Sequence, residues 1–257
     1  MEIPNLNKII KLLDDFIYPK ICLVCRKRIT LDELSSQFNP KKLTSDNFCC
    51  SECKSKFVFA PNKEEILTNL LNIFVKNELA ISNAVSLFSI SVKDSSEENY
   101  DFRENSPINL IYKLKYFGFT KIGFEYGIWL GNVLLENDLK EYDFIVPVPI
   151  HKAKKRERGY NQSDFIAKGV QQILKIQVVT DLLKRKKYTT SQILLKSDER
   201  KNNVENAFEL TKKFNILNKN ILLIDDVLTT GSTVNNCAIT LLENSASKVD
   251  VATLINA

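Results

Sequence analysis

Apolar positions along this chain follow two alternating patterns. Short apolar runs, typical of strands buried on both faces of a sheet, occur at residues 84–92, 143–148, 177–179, 221–224 and 248–254. Helical spacing of apolar side chains predicts helices over residues 107–116, 122–135, 161–174 and 234–242. Strands that alternate with helices in this way predict an α/β domain with a doubly wound, mostly parallel sheet.

The first eighty residues have a different pattern, which divides the chain into four parts. Residues 1–17 have apolar positions at helical spacing and predict an N-terminal helix, which packs on its own domain or touches a membrane surface or a partner. Asp14 and Asp15 favour the first alternative because they weaken attraction to anionic lipid. Residues 18–60 are predicted to form a small cysteine-rich module, 61–80 a helical linker, and 81–257 the α/β domain.

Composition and charge narrow the classes of protein that fit. A chain of 257 residues with 44% hydrophobic residues can build one large domain and a small appendage. No apolar run is long enough to span a bilayer and the N-terminus does not resemble a signal peptide, so we expect a cytoplasmic protein without a transmembrane segment. Peripheral attachment at the inner membrane face stays open.

Positive charge is concentrated in two runs, although the net charge of +5 is modest. Residues 152–158 include Lys154 and Lys155, and residues 184–187 are all Lys or Arg. Such runs are often solvated faces. Because they flank the candidate site described below in sequence order, attraction of a polyphosphate is at least as good an explanation.

Five of the six cysteines lie in the first 53 residues. Two CxxC pairs, Cys22 with Cys25 and Cys50 with Cys53, have the spacing of a four-thiolate zinc knuckle or ribbon. In a reducing compartment such spacing favours a metal over disulfides. A closed four-ligand site predicts structural zinc. Cys49 is the alternative to Cys50 as third ligand, with Cys50 preferred for its two-residue spacing.

Cys237 and three glycines of one predicted helix are assigned to packing. Cys237 lies within the predicted helix at 234–242 and is interpreted as a small core residue. Gly123, Gly127 and Gly131 are spaced four apart, which allows another helix to approach closely.

The segment ILLIDDVLTTGST, residues 221–233, carries the most specific chemistry. Asp225 and Asp226 follow an apolar strand and are expected at its carboxyl end, where ligands of open α/β sheets bind. Two carboxylates can accept hydrogen bonds from a ribose 2′,3′-diol. The hydroxyl-rich turn ahead of the predicted helix offers backbone N–H groups to a phosphate. This turn comprises Thr229, Thr230, Gly231, Ser232 and Thr233.

At these residues the chain resembles the phosphoribosyl pyrophosphate (PRPP) signature of type I phosphoribosyltransferases. Within that superfamily it resembles the ComF family of competence proteins, through VPVPIHKAKKRERGYNQSDFIA at residues 146–167 and SQILLKSDERKNNVENAF at 191–208. The LKYFG at 114–118 and the paired cysteines fit the same family. The resemblance implies a type I phosphoribosyltransferase-like fold, PRPP as ligand, and magnesium bound with PRPP.

The resemblance also assigns further contacts with PRPP. It places Val148 and Pro149 at the start of a pyrophosphate-binding loop and includes Val227 in the signature. Basic side chains just beyond the loop are candidates to neutralise the leaving group, namely Lys152, Lys154, Arg156 and Arg158. Asn161 and Gln162, at the start of the next helix, are either helix caps or anion contacts.

The polar segment 188–206 is predicted to be a mobile lid, with Arg200 or Lys201 entering the site on closure. Two functions stay open. The first is transfer of phosphoribose to a small acceptor such as a nucleobase, with Asp225 and Asp226 as the catalytic candidates. The second, which the family resemblance implies, is assistance of natural transformation by handling incoming single-stranded DNA, with Tyr160, Tyr188 and Phe208 as aromatic contacts. A competence helicase or an inner-membrane DNA-uptake channel would then be the protein partner.

Overall fold

The computed structural model describes residues 20–29, 48–74, 78–90, 106–186, 207–211 and 214–257. The predicted N-terminal helix and the predicted lid at 188–206 lie outside these residues. Within them, no helix combines the length and the apolar character that crossing a membrane requires.

Helices and strands alternate along most of the described chain. The helices are α1 (Ser51–Ser55), α2 (Lys63–Ile73), α3 (Ile108–Tyr116), α4 (Thr120–Glu136), α5 (Lys152–Arg158), α6 (Gln162–Leu174) and α7 (Ser232–Glu243). The strands are β1 (Val58–Phe59), β2 (Asn83–Ser89), β3 (Phe144–Pro147), β4 (Leu183–Arg185), β5 (Phe208–Leu210), β6 (Asn220–Leu228) and β7 (Lys248–Asn256).

Five strands form the central sheet, in the order β1-β2-β7-β6-β3. The pairs β2–β7, β7–β6 and β6–β3 are parallel, and the short β1 is antiparallel at the edge. On the outer side of β3, the predicted strand at 177–179 is reduced to a single parallel bridge between Ile145 and Val178. Strands β4 and β5 form a separate antiparallel pair.

The sheet separates two hydrophobic cores, because successive residues of a strand point to opposite faces. On β6, Leu222 and Ile224 pack in the core that contains α3, α4 and α6. Ile221 and Leu223 pack on the other face, with α2, α7 and the β4–β5 pair. Helices therefore cover both faces, and the predicted doubly wound, mostly parallel α/β fold is confirmed.

Helices α4 and α6 approach each other so closely that their backbones touch. A Cβ atom on Gly127 would lie 2.2 Å from the carbonyl oxygen of Ile166, and one on Gly169 would lie 2.1 Å from that of Phe124. Only glycine fits at either position. The packing role predicted for the glycines of α4 is confirmed, and it fixes the position of α6 relative to the sheet.

The N-terminal residues are continuous with these two cores. The ring of Phe57, which follows α1, lies 5.2 Å from that of Phe88 on β2. Ile66 and Leu70 of α2 are buried in the core beneath α7. The predicted divisions at residues 17, 60 and 80 stay predictions, but α2 packs as part of the α/β layer.

Two elements differ from the sequence prediction near the candidate site. Strand β6 extends to Leu228 because β7 continues to pair with it, so Asp225 and Asp226 lie within the strand. The basic run at 152–158 forms helix α5, capped by His151 and ended by Gly159 at φ 82°. As a result, the carboxylates of Asp225 and Asp226 and the basic side chains of α5 all lie near the end of β3.

Candidate functional site

The two acidic residues of β6 lie just beyond the end of β3. Strand β3 pairs with residues 221–224 of β6, whereas β7 pairs with β6 as far as Leu228. The last bond on the β3 side runs from the Val148 N–H to the Ile224 carbonyl, at 2.8 Å. Asp225 and Asp226 therefore lie where the chain of β3 turns away, which is where open parallel sheets bind ligands.

The Asp225 carboxylate is held by two donors. The hydroxyl of Ser163 on α6 donates to its Oδ1 at 3.0 Å, and the backbone N–H of Asp226 donates to the same oxygen at 2.9 Å. Burial, followed by the charge of Asp226, raises the pKa of Asp225 to about 7. Asp225 can therefore accept or release a proton near neutral pH.

Asp226 is paired with Lys115, at the end of α3. The Lys115 Nζ lies 3.2 Å from Asp226 Oδ1, with the two side chains 17% and 6% exposed. The other oxygen, Oδ2, is buried and has no hydrogen-bond partner among the residues that the structure describes. Lys115 lies in the LKYFG segment, to which the sequence alone assigned no role. Ser163 was also missed, since nothing in the local pattern links it to Asp225.

The turn after β6 has the geometry of a phosphate cradle. Thr229 and Thr230 are exposed, Gly231 adopts a left-handed conformation at φ 73°, and α7 begins at Ser232. The Thr230 Oγ1 lies 2.9 Å from the Ser232 Oγ and accepts the Ser232 backbone N–H at 3.4 Å. Hydroxyls and first-turn N–H groups thus surround the start of a helix, the arrangement that binds phosphate.

Helix α2 supports this turn from beneath. A Cβ atom on Gly231 would lie 2.6 Å from Leu70 Cδ2, so the packing and the positive φ both require glycine. The side chain of Asn235, in the first turns of α7, donates to the Glu78 carbonyl at 2.8 Å and accepts from the Ala80 N–H at 2.7 Å. The residues before β2 therefore fix both the turn and the start of α7.

The loop between β3 and α5 is fixed from α6. Asn161 Nδ2 donates to the Val148 carbonyl at 3.0 Å and to Asp164 Oδ1 at 2.9 Å. Gln162 Oε1 accepts from Arg158 at 3.0 Å. Neither side chain caps α6: Asn161 anchors the predicted pyrophosphate loop, and Gln162 orients a cation.

The basic side chains of α5 lie beside this loop. Lys152 and Arg156 are exposed, and Arg158 is half-buried. His151 accepts the Ala153 N–H on its Nδ1 at 3.2 Å, so the chain's single histidine caps α5. The His151 side chain therefore has a structural role at the start of α5.

The two basic runs approach each other near β5. Lys186 lies 2.8 Å from Glu209 on β5. This contact lowers the pKa of Glu209, and the charges of Lys184 and Lys152 lower it further. Positive side chains from α5 and from β4 thus face the same short strand.

An exposed aromatic run continues the basic surface. Tyr116, Phe117 and Phe119, at the turn from α3 to α4, are 45%, 54% and 38% exposed. Arg158 lies over the Tyr116 ring at 5.0 Å, and Lys113 over Phe117 at 4.0 Å. We define Tyr116, Phe117, Phe119 and Arg158 as the aromatic–cationic surface.

The aromatic side chains expected from the sequence to contact DNA differ in their exposure. Phe208 is 6% exposed and packs in the core beneath α7. The Tyr160 hydroxyl donates to the Leu114 carbonyl, and its ring packs against Phe165. The prediction that Phe208 is a surface contact is wrong because its ring is buried, whereas Tyr160 is partly exposed and its contact with DNA stays a prediction. Tyr188 lies outside the described residues.

The four cysteines of the CxxC pairs converge in the N-terminal module. The sulfur atoms of Cys22, Cys25, Cys50 and Cys53 all lie within 4.8 Å of one another, a donor set that can hold a metal ion. The backbone N–H groups of Cys25 and Cys50 donate to Cys22 Sγ at 3.5 and 3.4 Å. Cys49 is not a member of the cluster, and its thiol donates to the Cys50 carbonyl at 3.6 Å.

The electrostatics of the cluster fit a bound cation. The neighbouring Cys49 thiol, with backbone N–H donors, lowers the pKa of Cys22 to about 3. Burial raises the pKa of Cys50 and of Cys53, and neighbouring thiols raise that of Cys53 further. Four thiolates in this space therefore need a positive charge among them. Cys237, by contrast, is fully buried in the core, as predicted.

Comparison with known proteins gives a match to a family model over the C-terminal part of the chain. Residues 163–257 match the family model of the phosphoribosyl transferase domain. This segment contains most of α6, Asp225, Asp226 and the turn at residues 229–233.

Two kinds of curated relative are similar to part of the chain. Competence protein F of Haemophilus influenzae is 34% identical over 116 residues, which is 45% of this chain and 51% of that protein. The DNA utilization protein YhgH of Escherichia coli K12 is 37% identical over 109 residues, 42% of this chain and 47% of that protein. The chain thus spans about half the length of the curated relatives it matches.

Solved structures give more distant likenesses. Glutamine PRPP amidotransferase from B. subtilis, complexed with ADP and GMP, is 19% identical with a TM-score of 0.38, over 55% of this chain and 30% of that chain. A hypoxanthine phosphoribosyltransferase from Staphylococcus aureus is 17% identical with a TM-score of 0.35, over 51% and 64%.

Proposed function

We propose that the chain binds PRPP and uses that site in handling single-stranded DNA during natural transformation, because part of it is similar to competence protein F and residues 163–257 match the phosphoribosyl transferase domain. The main support for this proposal is that Asp225 and Asp226 lie at the end of β3, beside the turn that begins α7. Two carboxylates that can bind a ribose diol therefore lie next to a turn that can bind a phosphate.

Each part of PRPP has a matching group in this arrangement. The 5-phosphate fits the turn at residues 229–233, where hydroxyls and the first N–H groups of α7 converge. The ribose hydroxyls fit Asp225 and Asp226. The pyrophosphate fits the loop at Val148 and Pro149, next to the cations of α5.

The same groups suit cleavage of the bond between C1 and the pyrophosphate oxygen. Charge develops on the leaving pyrophosphate, so cations and N–H donors near the loop would stabilise the transition state. Magnesium would enter with PRPP, and the oxygen donors at Asp225 and Asp226 suit its hydroxyl or water ligands. Asp225, with its pKa near 7, is the described group best suited to hold or release a proton.

Isothermal titration of PRPP in the presence of magnesium tests the binding site. Asp225→Asn combined with Asp226→Asn is expected to abolish binding while the circular dichroism spectrum is unchanged. Asp143→Asn is the matched control, because Asp143 lies before β3, at the opposite end of the sheet, where it pairs with Lys219. Equal affinity in the double variant and the wild type would remove PRPP from the assignment.

Single-stranded DNA is proposed to bind along the aromatic–cationic surface and α5. Exposed aromatic rings can stack on bases, and the cations of α5 can contact phosphates. Arg158 links the two regions, since it contacts both Tyr116 and Gln162. PRPP and DNA would then share cations at the rim and compete.

Fluorescence anisotropy of a labelled oligothymidine at several salt concentrations tests the DNA surface. Tyr116→Ala with Phe117→Ala should weaken binding without changing the salt slope, whereas Leu217→Ala, at an exposed apolar side chain elsewhere, should change neither. Replacing Lys154, Lys155, Arg156 and Arg158 by Ser should reduce the log–log slope by up to roughly three, at about 0.7 per phosphate. No DNA binding, or binding insensitive to salt, favours transfer to a small acceptor instead.

The four-cysteine cluster is proposed to hold a structural zinc ion. Four closed thiolate ligands leave no open position for a substrate. Phe57 and Phe59, close to Cys53 in sequence, pack on Phe88 and Trp129, so the metal would hold the module against the sheet. The same module would offer its outer face to a competence helicase or to a DNA-uptake channel at the inner membrane.

A further inference from the structure

Lys115 and Asp226 form a buried ion pair between two distant parts of the chain. Their charged atoms are 3.2 Å apart, and both side chains are mostly buried. Removing one partner of such a pair leaves a costly unpaired charge, so the two positions are energetically linked.

The pair leaves one acceptor of Asp226 unused. Lys115 contacts Oδ1, whereas Oδ2 is buried without a hydrogen-bond partner among the described residues. Buried carboxylate oxygens are normally hydrogen-bonded, so an unpartnered one at a ligand-binding edge indicates a place for a donor. A hydroxyl donor suits it, because the carboxylate is already neutralised by Lys115 and needs no second cation.

The end of α3 is held rigidly enough to keep Lys115 in place. The Leu114 carbonyl accepts the Tyr160 hydroxyl, and Tyr116 contacts Arg158 through its hydroxyl and its ring. Lys115 lies between these two anchored residues. The backbone on either side of Lys115 is thus held by residues that precede α6, and its ammonium group lies against Asp226 Oδ1.

We propose that Lys115 is a positioning residue of the sugar site, which fixes Oδ1 of Asp226 so that Oδ2 is held for a hydroxyl of the ligand's ribose. This inference rests on the proposed PRPP site and adds a basis for sugar selectivity. A buried acceptor discriminates strongly against an analogue that lacks the donor, because the acceptor is then left unpaired. A ribose with unsubstituted 2- and 3-hydroxyls should therefore be preferred over a deoxyribose.

Displacement of PRPP by three sugar phosphates tests selectivity in the full-length protein. Ribose 5-phosphate should displace PRPP at least tenfold better than at least one of 2-deoxyribose 5-phosphate and 3-deoxyribose 5-phosphate. Equal displacement by all three from the wild-type chain overturns the inference.

Three variants connect this selectivity to Lys115. Lys115→Met should lower PRPP affinity about tenfold or more and abolish the preference for ribose, and Lys115→Arg should restore part of both. Lys113→Met is the matched control, because Lys113 lies on the same helix but packs over Phe117. A merely structural lysine would affect all three sugars equally, so preserved selectivity in Lys115→Met refutes the proposal. A wild-type chain that does not bind PRPP refutes the proposed function itself, whereas unchanged affinity in Lys115→Met refutes this inference alone.

Discussion

Replacing Asp225 by Asn should stabilise the protein at alkaline pH while removing its sugar binding. Burial and the charge of Asp226 raise the pKa of Asp225 from 3.8 to about 7. The unfolded chain releases this proton near pH 4, whereas the folded chain keeps it until about pH 7. The unfolded state therefore binds fewer protons in this window, and the free energy of unfolding falls as pH rises through it. Asn carries no charge and avoids this loss.

The structure sets the magnitude of the effect. One pKa unit corresponds to about 1.4 kcal/mol, so the rise from 3.8 to about 7 gives an upper bound of roughly 4 kcal/mol. Asp225 is partly exposed, so solvent screens part of this cost, and we expect a gain of about 1–2 kcal/mol at pH 8.5. Asn retains an acceptor for Ser163 and for the Asp226 N–H, so the local hydrogen bonds survive.

Urea denaturation followed by the fluorescence of the single tryptophan, Trp129, measures this gain at pH 5 and pH 8.5. The advantage of Asp225→Asn over wild type should be larger at pH 8.5 than at pH 5. The control Asp143→Asn should be slightly destabilised by a similar amount at both, because Lys219 lowers the pKa of Asp143. A gain for Asp225→Asn that does not depend on pH, or that is larger at pH 5, would refute the reasoning.

Three further predictions test the metal cluster and the glycine contacts. Elemental analysis should find about one zinc per chain in the wild type, and less than about a third of an equivalent after Cys22→Ser with Cys25→Ser. Gly231→Ala should lower PRPP affinity about tenfold or more by titration, because the added methyl clashes with Leu70 in a left-handed turn; adding Leu70→Ala should recover only part, since the backbone strain persists. Gly169→Ala should lower the free energy of unfolding by about 2 kcal/mol or more, measured by urea denaturation, and a smaller loss would contradict the backbone contact.

Local patterns in the sequence were sufficient for the layout of the sheet but not for the bounds near the site. The core of β6 was predictable from its apolar run, whereas its extension to Leu228 depends on pairing with β7. Helix α5 was missed because residues 152–158 have no apolar periodicity, and its bounds are set by His151 and Gly159.

The contacts that complete the site are non-local, which explains why they escaped prediction. Lys115 and Asp226 are far apart in sequence and meet only when α3 packs beside β6. The sequence pattern places Leu70 in a linker helix, but in the structure it packs beneath Gly231. Asp225, Asp226 and the two CxxC pairs were predictable because their chemistry is contained in short motifs.

The contact between α4 and α6 has a consequence for how this chain can be recombined with its relatives. Gly169 lies within residues 163–257, which match the phosphoribosyl transferase domain, whereas Gly127 lies before them. Strands β2 and β3, which flank β7 and β6, also precede the matched segment. A chimera that exchanges only residues 163–257 would therefore combine two helix surfaces without a shared history of close contact. The set of elements that must be exchanged together therefore extends back to β2, which pairs with β7, so grafts joined before residue 83 should fold where grafts joined at residue 163 fail.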